Sequence, residues 1–341
     1  MQQNNPVSSL GATQALPRGQ DDALAIDGLT VSIGGVPIIS NVNLRLGKGE
    51  CLGVVGESGC GKTVTFLALM GLLPSAARTS GSIRLGSREI LGLGEGELEA
   101  IRGRSIGMIF QDPQSALNPV RTIGRQLIEP IKLHLGLTTE QARKRAVELL
   151  SLVGIPAPHE RLGAYPHEIS GGMCQRVMIA IALASEPDVL IADEPTTALD
   201  ATVQLQVLNL LKSVQERTGL SIVIITHDLG VVAEICDRVT VMYAGRTVET
   251  QHIPEAFDLP LHPYTDALLN CLPSLENDGR PPAFIAGDVP IPGQVPPGCP
   301  FHPRCPRARE ICHEVMPETR ILGPNGGLVA CHFPMLEDSD A

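Results

Sequence analysis

The sequence contains no tryptophan, and aromatic residues make up only 3% of its 341 positions. Single-stranded nucleic acids are bound largely by stacking bases on aromatic side chains, so we do not expect a surface of that kind. Basic residues are also in the minority, with 26 Lys and Arg against 37 Asp and Glu and a formal net charge of −11. Proteins that grip a nucleic-acid backbone usually carry a basic excess. The composition therefore argues against a nucleic acid as the partner.

Long apolar runs are missing as well. The chain is 43% apolar with a mean hydropathy of +0.13, yet no run approaches the ~18–20 apolar residues of a membrane span. The polar N-terminal residues lack the apolar core of a secretory signal. We therefore expect a cytoplasmic, soluble chain, which can still dock on a membrane partner.

The length allows about two domains, and changes in composition divide the chain accordingly. Residues 1–22 are polar and aperiodic, which predicts a disordered tail. Between 23 and 255, short apolar runs alternate with helix-like segments, a pattern typical of an α/β domain with a parallel sheet. Residues 112–187 are helical in character and predict an insertion in that domain. Residues 256–341 are rich in proline and cysteine and predict a small C-terminal region.

Local signals place two helices in the insertion. Thr138 and Gln141 have the spacing of a capping box, and an apolar stripe follows them. Gly154 is placed to end that helix. Ser170 is a plausible N-cap for a second helix.

The strongest motif runs from Gly56 to Thr63, with the pattern G-x-x-x-x-G-K-[ST] after the apolar strand Cys51–Val55. Its glycines let successive backbone N–H groups face an anion at the positive end of the following helix. Lys62 would reach the β- and γ-phosphates, and the Thr63 hydroxyl would bind Mg²⁺. The predicted phosphate-binding set is Gly56, Ser58, Gly59, Cys60, Gly61, Lys62, Thr63 and Val64.

Two acidic residues follow another apolar strand, Val189–Ala192. Strand ends at the carboxyl edge of a parallel sheet are where α/β proteins bind ligands. Asp193 would hold Mg²⁺ directly or through water, and Glu194 would polarise the water that attacks the γ-phosphate. Alone this pair is a weak signal, but together with the phosphate loop it predicts a nucleoside triphosphatase.

Further segments resemble motifs of the ATP-binding cassette (ABC) ATPases of membrane transporters. Ser170-Gly171-Gly172-Met173-Cys174-Gln175 resembles the family's signature motif, which in the family completes the ATP site of the opposite subunit. Ala198-Leu199-Asp200 resembles the D-loop, which communicates across the dimer. The glycines of the signature would also expose N–H groups at a helix start.

Two single residues occupy positions that match catalytic groups of the same family. Gln111, after the strand-like Ile106–Phe110, matches the glutamine that contacts Mg²⁺ or the attacking water. His227, after the strand Ser221–Thr226, matches the switch histidine that contacts the γ-phosphate. With Glu194, the resemblance predicts Glu194, His227 and Gln111 as the catalytic set. It also predicts a metal role for Thr63, Gln111 and Asp193.

The resemblance covers residues 24–335 and is closest to the oligopeptide/dipeptide importer branch, as in GESGCGKTVTFLALMGLLP, FQDPQSALNPV and LHPYTDALL. It implies a P-loop NTPase core with a parallel sheet, an antiparallel β subdomain and a helical insertion. Val64-Thr65 after the loop and Met173 in the signature resemble the first of that branch's two ATPase subunits. The implied partners are a second, homologous ATPase in a heterodimer, two transmembrane permeases and an extracytoplasmic binding protein, at the cytoplasmic face of the membrane. Alternatives are importers of nickel, opines or glutathione, an export ATPase, and a soluble ABC ATPase.

Four cysteines crowd into the last part of the chain: Cys299, Cys305, Cys312 and Cys331. In a reducing compartment such crowding indicates a metal site more than disulfides. The spacing matches neither a zinc finger nor a familiar ferredoxin pattern. An iron–sulfur cluster, zinc and metal-free thiols all stay open. This segment resembles the C-terminal region of the oligopeptide/dipeptide ATPases, which favours a four-cysteine 4Fe–4S cluster over zinc.

Overall fold

The computed structural model describes residues 22–197, 199–272, 284–323 and 325–338. The predicted tail lies outside the described residues, apart from Asp22, which begins the first strand. Ala198 of the predicted D-loop also lies outside them.

The strands form two sheets and are, in chain order, β1 (Asp22–Ile33), β2 (Val36–Gly47), β3 (Cys51–Val55), β4 (Ala77–Leu85), β5 (Arg88–Glu89), β6 (Ile106–Ile109), β7 (Val189–Asp193), β8 (Ser221–Ile225), β9 (Arg238–Tyr243), β10 (Arg246–His252), β11 (Arg320–Leu322) and β12 (Gly327–Val329). The α-helices are α1 (Lys62–Leu69), α2 (Glu95–Ile101), α3 (Pro113–Ala116), α4 (Ile123–Leu135), α5 (Thr139–Leu152), α6 (Pro158–Arg161), α7 (Gly171–Ala182), α8 (Ala201–Thr218), α9 (Leu229–Ile235), α10 (Glu255–Asp258), α11 (Pro263–Asn270) and α12 (Glu310–Glu314).

The larger sheet has the strand order β11-β12-β10-β9-β3-β8-β7-β6, and its part from β9 to β6 is parallel. Every residue of β3, β7 and β8 is buried, as expected for parallel strands covered on both faces. The smaller sheet, β2-β1-β4-β5, is antiparallel and starts with the β1–β2 pair. The predicted α/β fold with a parallel sheet and an antiparallel β subdomain is confirmed.

The helical insertion lies between β6 and β7 and contains α3 to α7. The capping box that opens α5 is present, since the Thr138 side chain accepts from the Gln141 N–H and the Gln141 side chain accepts from the Thr138 N–H. The apolar stripe of α5 is buried and ends at Val153, which is followed by Gly154 with φ 71°. Local sequence signals therefore determine this helix from cap to cap.

The C-terminal region joins the larger sheet of the α/β domain. Its strand β12 pairs antiparallel with β10, with Glu249 opposite Val329 and Thr250 opposite Leu328, and β11 adds one strand more. Strands of three residues have too little periodicity to be recognised in a sequence. Among the described residues, the helices are all too short or too polar to cross a membrane.

Candidate functional site

The loop 56–61 joins the end of β3 to the start of α1 and forms the floor of the site. Gly56 and Gly61 have φ values of +152° and +101°, which side chains rarely tolerate. A Cβ at Gly56 would lie 2.2 Å from the Met242 carbonyl oxygen, and one at Gly61 would lie 2.4 Å from Ile39 Cγ2. Glycine is therefore required at both ends of the loop for conformational and for steric reasons.

Lys62 begins α1 and turns its ammonium group back into the loop. Its Nζ donates to the carbonyl oxygens of Gly56 at 2.6 Å and Glu57 at 3.2 Å, and the residue is only 7% exposed. A cation is thereby fixed beside the N-terminus of a helix, an arrangement that favours bound phosphate.

The other residues of the predicted phosphate-binding set differ in whether they face the cavity or are buried below the loop. Ser58 lines the cavity above the loop, and Gly59 adopts φ +79° with open space around it. Cys60 is fully buried beneath the loop, and burial raises the pKa of its thiol. Val64 packs its half-buried side chain against the core below the antiparallel sheet. Cys60 and Val64 thus support the loop from below.

Thr63 and Asp193 meet at the edge of the sheet although 130 positions separate them. The Thr63 hydroxyl donates to Asp193 Oδ2 at 3.1 Å. Asp193 ends β7 and is 5% exposed, and this burial raises the pKa of its carboxyl. Hydroxyl and carboxylate oxygens are donors that Mg²⁺ prefers, so the two residues fit a magnesium ion.

Glu194 is the point at which the residues predicted as catalytic meet. Its Oε2 accepts from Gln111 Nε2 at 3.1 Å and from Thr197 Oγ1 at 2.7 Å, while its Oε1 lies 3.0 Å from His227 Nδ1. Gln111 follows β6, Glu194 follows β7 and His227 follows β8, so the ends of three neighbouring strands bring them together. Thr197 was not predicted, although a hydroxyl three residues after a carboxylate is a recognisable local signal.

Competing influences set the charge of Glu194. Burial raises the pKa of its carboxyl, but hydrogen bonds from Thr197 and His227 and the nearby charge of Lys62 lower it by more. The net pKa lies below its usual value. Glu194 is therefore ionised at neutral pH and can accept a proton or polarise a water molecule.

The backbone of Glu194 is strained. Its φ of +47° is uncommon for any residue with a side chain. The Glu194 N–H donates to the Ile225 carbonyl at 2.8 Å, which holds the residue in this conformation against β8. Strain of this kind persists only where the surroundings enforce it, and it is concentrated at functional sites.

The phosphate loop, Gln111, Glu194 and His227 border one cavity of about 490 Å³ at the carboxyl ends of the parallel strands. It is lined by Val55, Gly56, Glu57, Ser58, Lys62, Gln111, Glu194, His227, Leu229 and Leu268. Its volume suits a small-molecule or cofactor ligand. A larger cavity of about 900 Å³ lies at the opposite edge of the sheet, beside Ser105, Asp188 and Ser221. Open parallel sheets bind ligands at their carboxyl edge. The phosphate loop, Gln111, Glu194 and His227 lie there, so we assign function to the smaller cavity.

The signature residues stand apart from that cavity. Ser170 caps α7, because its Oγ accepts from the Met173 N–H at 3.3 Å. Ser170 and Gly171 are exposed, Gly172 is half-buried, and the cavity beside Lys62 is lined by other residues. Within one chain, the signature and the phosphate loop therefore do not form a common site.

Asp200 has a local structural role that its place in the D-loop motif did not predict. It caps α8 by accepting from the N–H groups of Thr202 at 3.1 Å and Val203 at 3.0 Å. An Asp directly before a helical apolar pattern is an ordinary N-cap signal. Like the signature, Asp200 does not line the cavity beside Lys62.

The four late cysteines line one small cavity together with Phe301 and Phe333. All nine cysteines of the chain are free thiols. Burial, with the neighbouring thiols adding to it, raises the pKa of Cys299 to about 11 and that of Cys331 to about 12.

The donor chemistry of this cluster fits a soft metal or an iron–sulfur centre, but the enclosed space measures only about 10 Å³. Among the described residues, no group of three or more His, Cys, Asp or Glu side chains is already spaced to hold a metal ion. Binding a centre would require these side chains to rearrange.

Comparisons with known proteins agree with this geometry. The ABC transporter family matches residues 39–197, and the family described as oligopeptide/dipeptide transporter, C-terminal region, matches residues 248–312. The oligopeptide transport ATP-binding protein OppD of Salmonella typhimurium is 47% identical, over 96% of this chain and 98% of OppD. The dipeptide transport ATP-binding protein DppD of Bacillus subtilis is 48% identical, over 87% of this chain and 90% of DppD.

Solved structures give the same result for the fold. The ATP-binding cassette MJ0796, as a dimer bound to ADP and Pi, aligns with a TM-score of 0.60 and 29% identity over 67% of this chain and 98% of its own. CbiO1 of Clostridium perfringens aligns with a TM-score of 0.61 and 31% identity over 70% of this chain and 91% of its own. The motifs, the sheet and these relatives together show that the chain belongs to the ABC transporter family, among the ATP-binding proteins of the oligopeptide/dipeptide type.

Proposed function

We propose that this chain is the ATP-hydrolysing subunit of an ABC importer that takes up oligopeptides or dipeptides. The observation that carries the proposal is that similarity to peptide-transport ATP-binding proteins extends over 96% of the chain, including the C-terminal region. Sequence similarity confined to the ATP site would be compatible with many kinds of ABC ATPase. The matching C-terminal region favours the peptide importers over soluble ABC ATPases.

The phosphate loop and Lys62 would bind the triphosphate. Backbone N–H groups of the loop, the N-terminus of α1 and the buried ammonium group all favour negative charge at the same place. Thr63 and Asp193, with Gln111 close by, would hold Mg²⁺, which neutralises charge on the β- and γ-phosphates. The acidic net charge of the chain does not oppose this binding, because short-range groups determine the local field.

Glu194 would act as the base in hydrolysis. As an ionised carboxylate at the edge of the cavity it can orient and polarise a water molecule, which attacks the γ-phosphorus while ADP leaves. Gln111 and His227 hold the carboxylate from both sides. His227 is also exposed enough to contact the γ-phosphate, since its side chain has 63% of its surface in solvent.

A second ATPase subunit would complete each site. Ser170, Gly171 and Gly172 place helix-terminal N–H groups on an exposed surface of the insertion, away from the cavity of their own chain. In a head-to-tail dimer they would face the γ-phosphate bound to the partner, and Asp200 would lie near the dimer contact. We propose a heterodimer with a homologous ATPase.

The remaining components of such an importer would be two transmembrane permeases and an extracytoplasmic substrate-binding protein. The chain would then lie at the cytoplasmic face of the membrane and attach to it through the permeases. Closure of the ATPase dimer on ATP would move the permeases, and hydrolysis would reset the dimer.

We also propose that Cys299, Cys305, Cys312 and Cys331 hold a metal centre, a 4Fe–4S cluster in preference to zinc. The support is their convergence on one cavity beside two aromatic rings. The spacing of the chain's own thiols argues against a preformed site for a single ion. Such a centre would cross-link a region that has little apolar core of its own.

Transport by the reconstituted complex tests the proposed function. The chain is produced with the second ATPase and both permeases, inserted into vesicles, and supplied with the binding protein and MgATP. We expect ATP-dependent uptake of a labelled dipeptide or pentapeptide, with ATP hydrolysis stimulated by the same peptide. Stimulation by nickel ions or glutathione alone would contradict the peptide assignment, and a complex without any ATP hydrolysis would contradict the motor function.

A further inference from the structure

A buried arginine links the C-terminal region to the phosphate loop. Arg304 ends the 3₁₀ turn His302–Arg304, directly before Cys305. Its side chain is only 4% exposed. Since buried guanidinium groups are costly unless they are paired, the partners of this residue indicate why it is there.

All five N–H donors of the Arg304 guanidinium group have acceptors. The two terminal nitrogens form a bidentate pair with Glu57, at 2.8 Å to Oε2 and 3.0 Å to Oε1. The remaining donors bind Tyr243 Oη at 3.3 Å and the carbonyl oxygens of Ile285 at 3.3 Å and Ala286 at 3.1 Å. A lysine could form neither the fork with Glu57 nor this number of bonds.

Glu57 belongs to the phosphate loop and is held at its backbone as well. Its N–H donates to Tyr264 Oη at 3.0 Å. Its carbonyl oxygen accepts from Lys62 Nζ at 3.2 Å and from the Cys60 N–H at 3.3 Å. The position of Glu57 therefore determines where the loop places its lysine and its central turn.

The groups that hold Glu57 are themselves fixed by aromatic packing. Tyr243, Tyr264 and Phe301 are buried, and their ring centroids lie 4.7–5.2 Å apart. Tyr243 comes from β9, Tyr264 from α11 and Phe301 from the residues just before Arg304. In a chain with three tyrosines and six phenylalanines, this concentration of rings lies where the C-terminal region meets the ATP site.

We propose that Arg304 is a positioning residue for ATP binding: through the Glu57 carboxylate it holds the phosphate loop in the conformation that receives the nucleotide phosphates, with Tyr264 as its second support. The C-terminal region thereby sets the nucleotide affinity of the cassette. The inference deepens the proposed ATPase function and depends on it. It assigns Arg304 no contact with the nucleotide.

Nucleotide binding by the full-length chain tests this role. The variants are Arg304→Gln, Arg304→Lys, Glu57→Gln and Tyr264→Phe, with Arg309→Gln as the matched control, because Arg309 is an exposed C-terminal arginine stacked on Phe333. The dissociation constant of MgATP is measured by calorimetry, and kcat and KM for ATP are measured in the assembled complex. We expect the dissociation constant and KM to rise about tenfold in Arg304→Gln and Glu57→Gln, as for loss of a charge-assisted hydrogen bond.

The pattern across the variants separates positioning from simple anchoring. Positioning predicts that kcat at saturating ATP stays within about twofold of the parent, that Arg304→Lys is intermediate, and that the double variant with both Gln substitutions is no worse than either single one. A dissociation constant within about twofold of the parent in both Glu57→Gln and Tyr264→Phe would overturn the inference, even if Arg304→Gln fails to fold. A parent chain that binds no MgATP would instead refute the proposed function.

Discussion

The ATPase domain and the C-terminal region share one sheet but are stabilised in different ways. In the ATPase domain, the strands β3, β7 and β8 are buried along their whole length, and apolar contacts surround them. In the C-terminal region the buried apolar residues are few, and three of them are the cysteines Cys299, Cys312 and Cys331. Polar contacts therefore contribute more to the stability of the C-terminal region.

Glu249 illustrates the difference. It is 1% exposed on β10 and accepts four hydrogen bonds at 2.5–2.9 Å, from the N–H groups of Leu261 and His262 and the side chains of Thr265 and Gln251. This carboxylate ties the start of α11 to the sheet. A packed core loses stability gradually with each methyl group removed, whereas a polar junction of this kind depends on single residues.

The largest expected effect concerns catalysis in the ATPase domain. Replacing Glu194 by Gln removes the base but leaves the fold and the phosphate loop in place. We expect ATP turnover in the assembled complex to fall by about 10²–10⁴-fold while MgATP binding is retained. Phosphate release and nucleotide titration measure the two quantities.

The matched control is Glu234→Gln on the exposed side of α9, which we expect to hydrolyse ATP like the parent. Normal turnover in Glu194→Gln would remove Glu194 from the role of base.

The next largest expected effect is on metal content, and it distinguishes the four C-terminal cysteines from the other cysteines of the chain. Cys331→Ser removes one proposed ligand, and we expect the iron and acid-labile sulfide content after anaerobic purification to fall by about 10-fold or more. Cys271→Ser is the control, since Cys271 is half-buried and lies outside the cysteine-lined cavity. Iron and sulfide are measured together with zinc. Stoichiometric zinc without iron in the parent would refute the cluster, and equal metal content in both variants would refute the ligand set.

The smallest effect is on stability at the junction. In Glu249→Gln, the amide N–H₂ group would face some of the N–H and O–H donors that now bind the carboxylate, and those donors would lose their acceptor. We therefore expect the free energy of unfolding to fall by about 2 kcal/mol. Denaturant titration measures the change in the free energy of unfolding. Hydrogen exchange of the α11 amides then shows whether the loss is located at this junction. The exposed Glu314→Gln is the control.

The pH dependence of the same residue has a definite sign. Burial raises the pKa of Glu249 above the 4.5 of an unfolded chain. The raised pKa contributes to the free energy of unfolding, and this contribution is fully present below pH 4.5. It is lost as the pH rises through the pKa of the folded protein. The Gln variant should lack this dependence, and an identical pH profile for both proteins would contradict the assignment.

Much of the ATP site could be predicted because its signals are contiguous. The loop Gly56–Thr63 and the pair Asp193–Glu194 each combine a strand end with polar residues in one short segment. The capping box at Thr138 is local in the same sense. Thr197 and the capping role of Asp200 were overlooked even though their signals are local.

The parts that escaped prediction involve residues far apart in sequence. Arg304 and Glu57 are separated by 247 positions, and nothing in either segment indicates the other. The strands β11 and β12 have three residues each, so only their pairing with β10 defines them. The sequence predicted only a small C-terminal region and did not indicate this junction.

The sequence by itself determined the α/β class, the phosphate loop and the acidic strand end, because short-range backbone geometry and apolar periodicity encode them. The scarcity of aromatic residues was also visible there, but its meaning was not. Only the tertiary structure decided that three of the few rings and a buried arginine meet at the phosphate loop. Long-range contacts of this kind depend on how the sheet brings distant segments together, and local patterns carry no record of that.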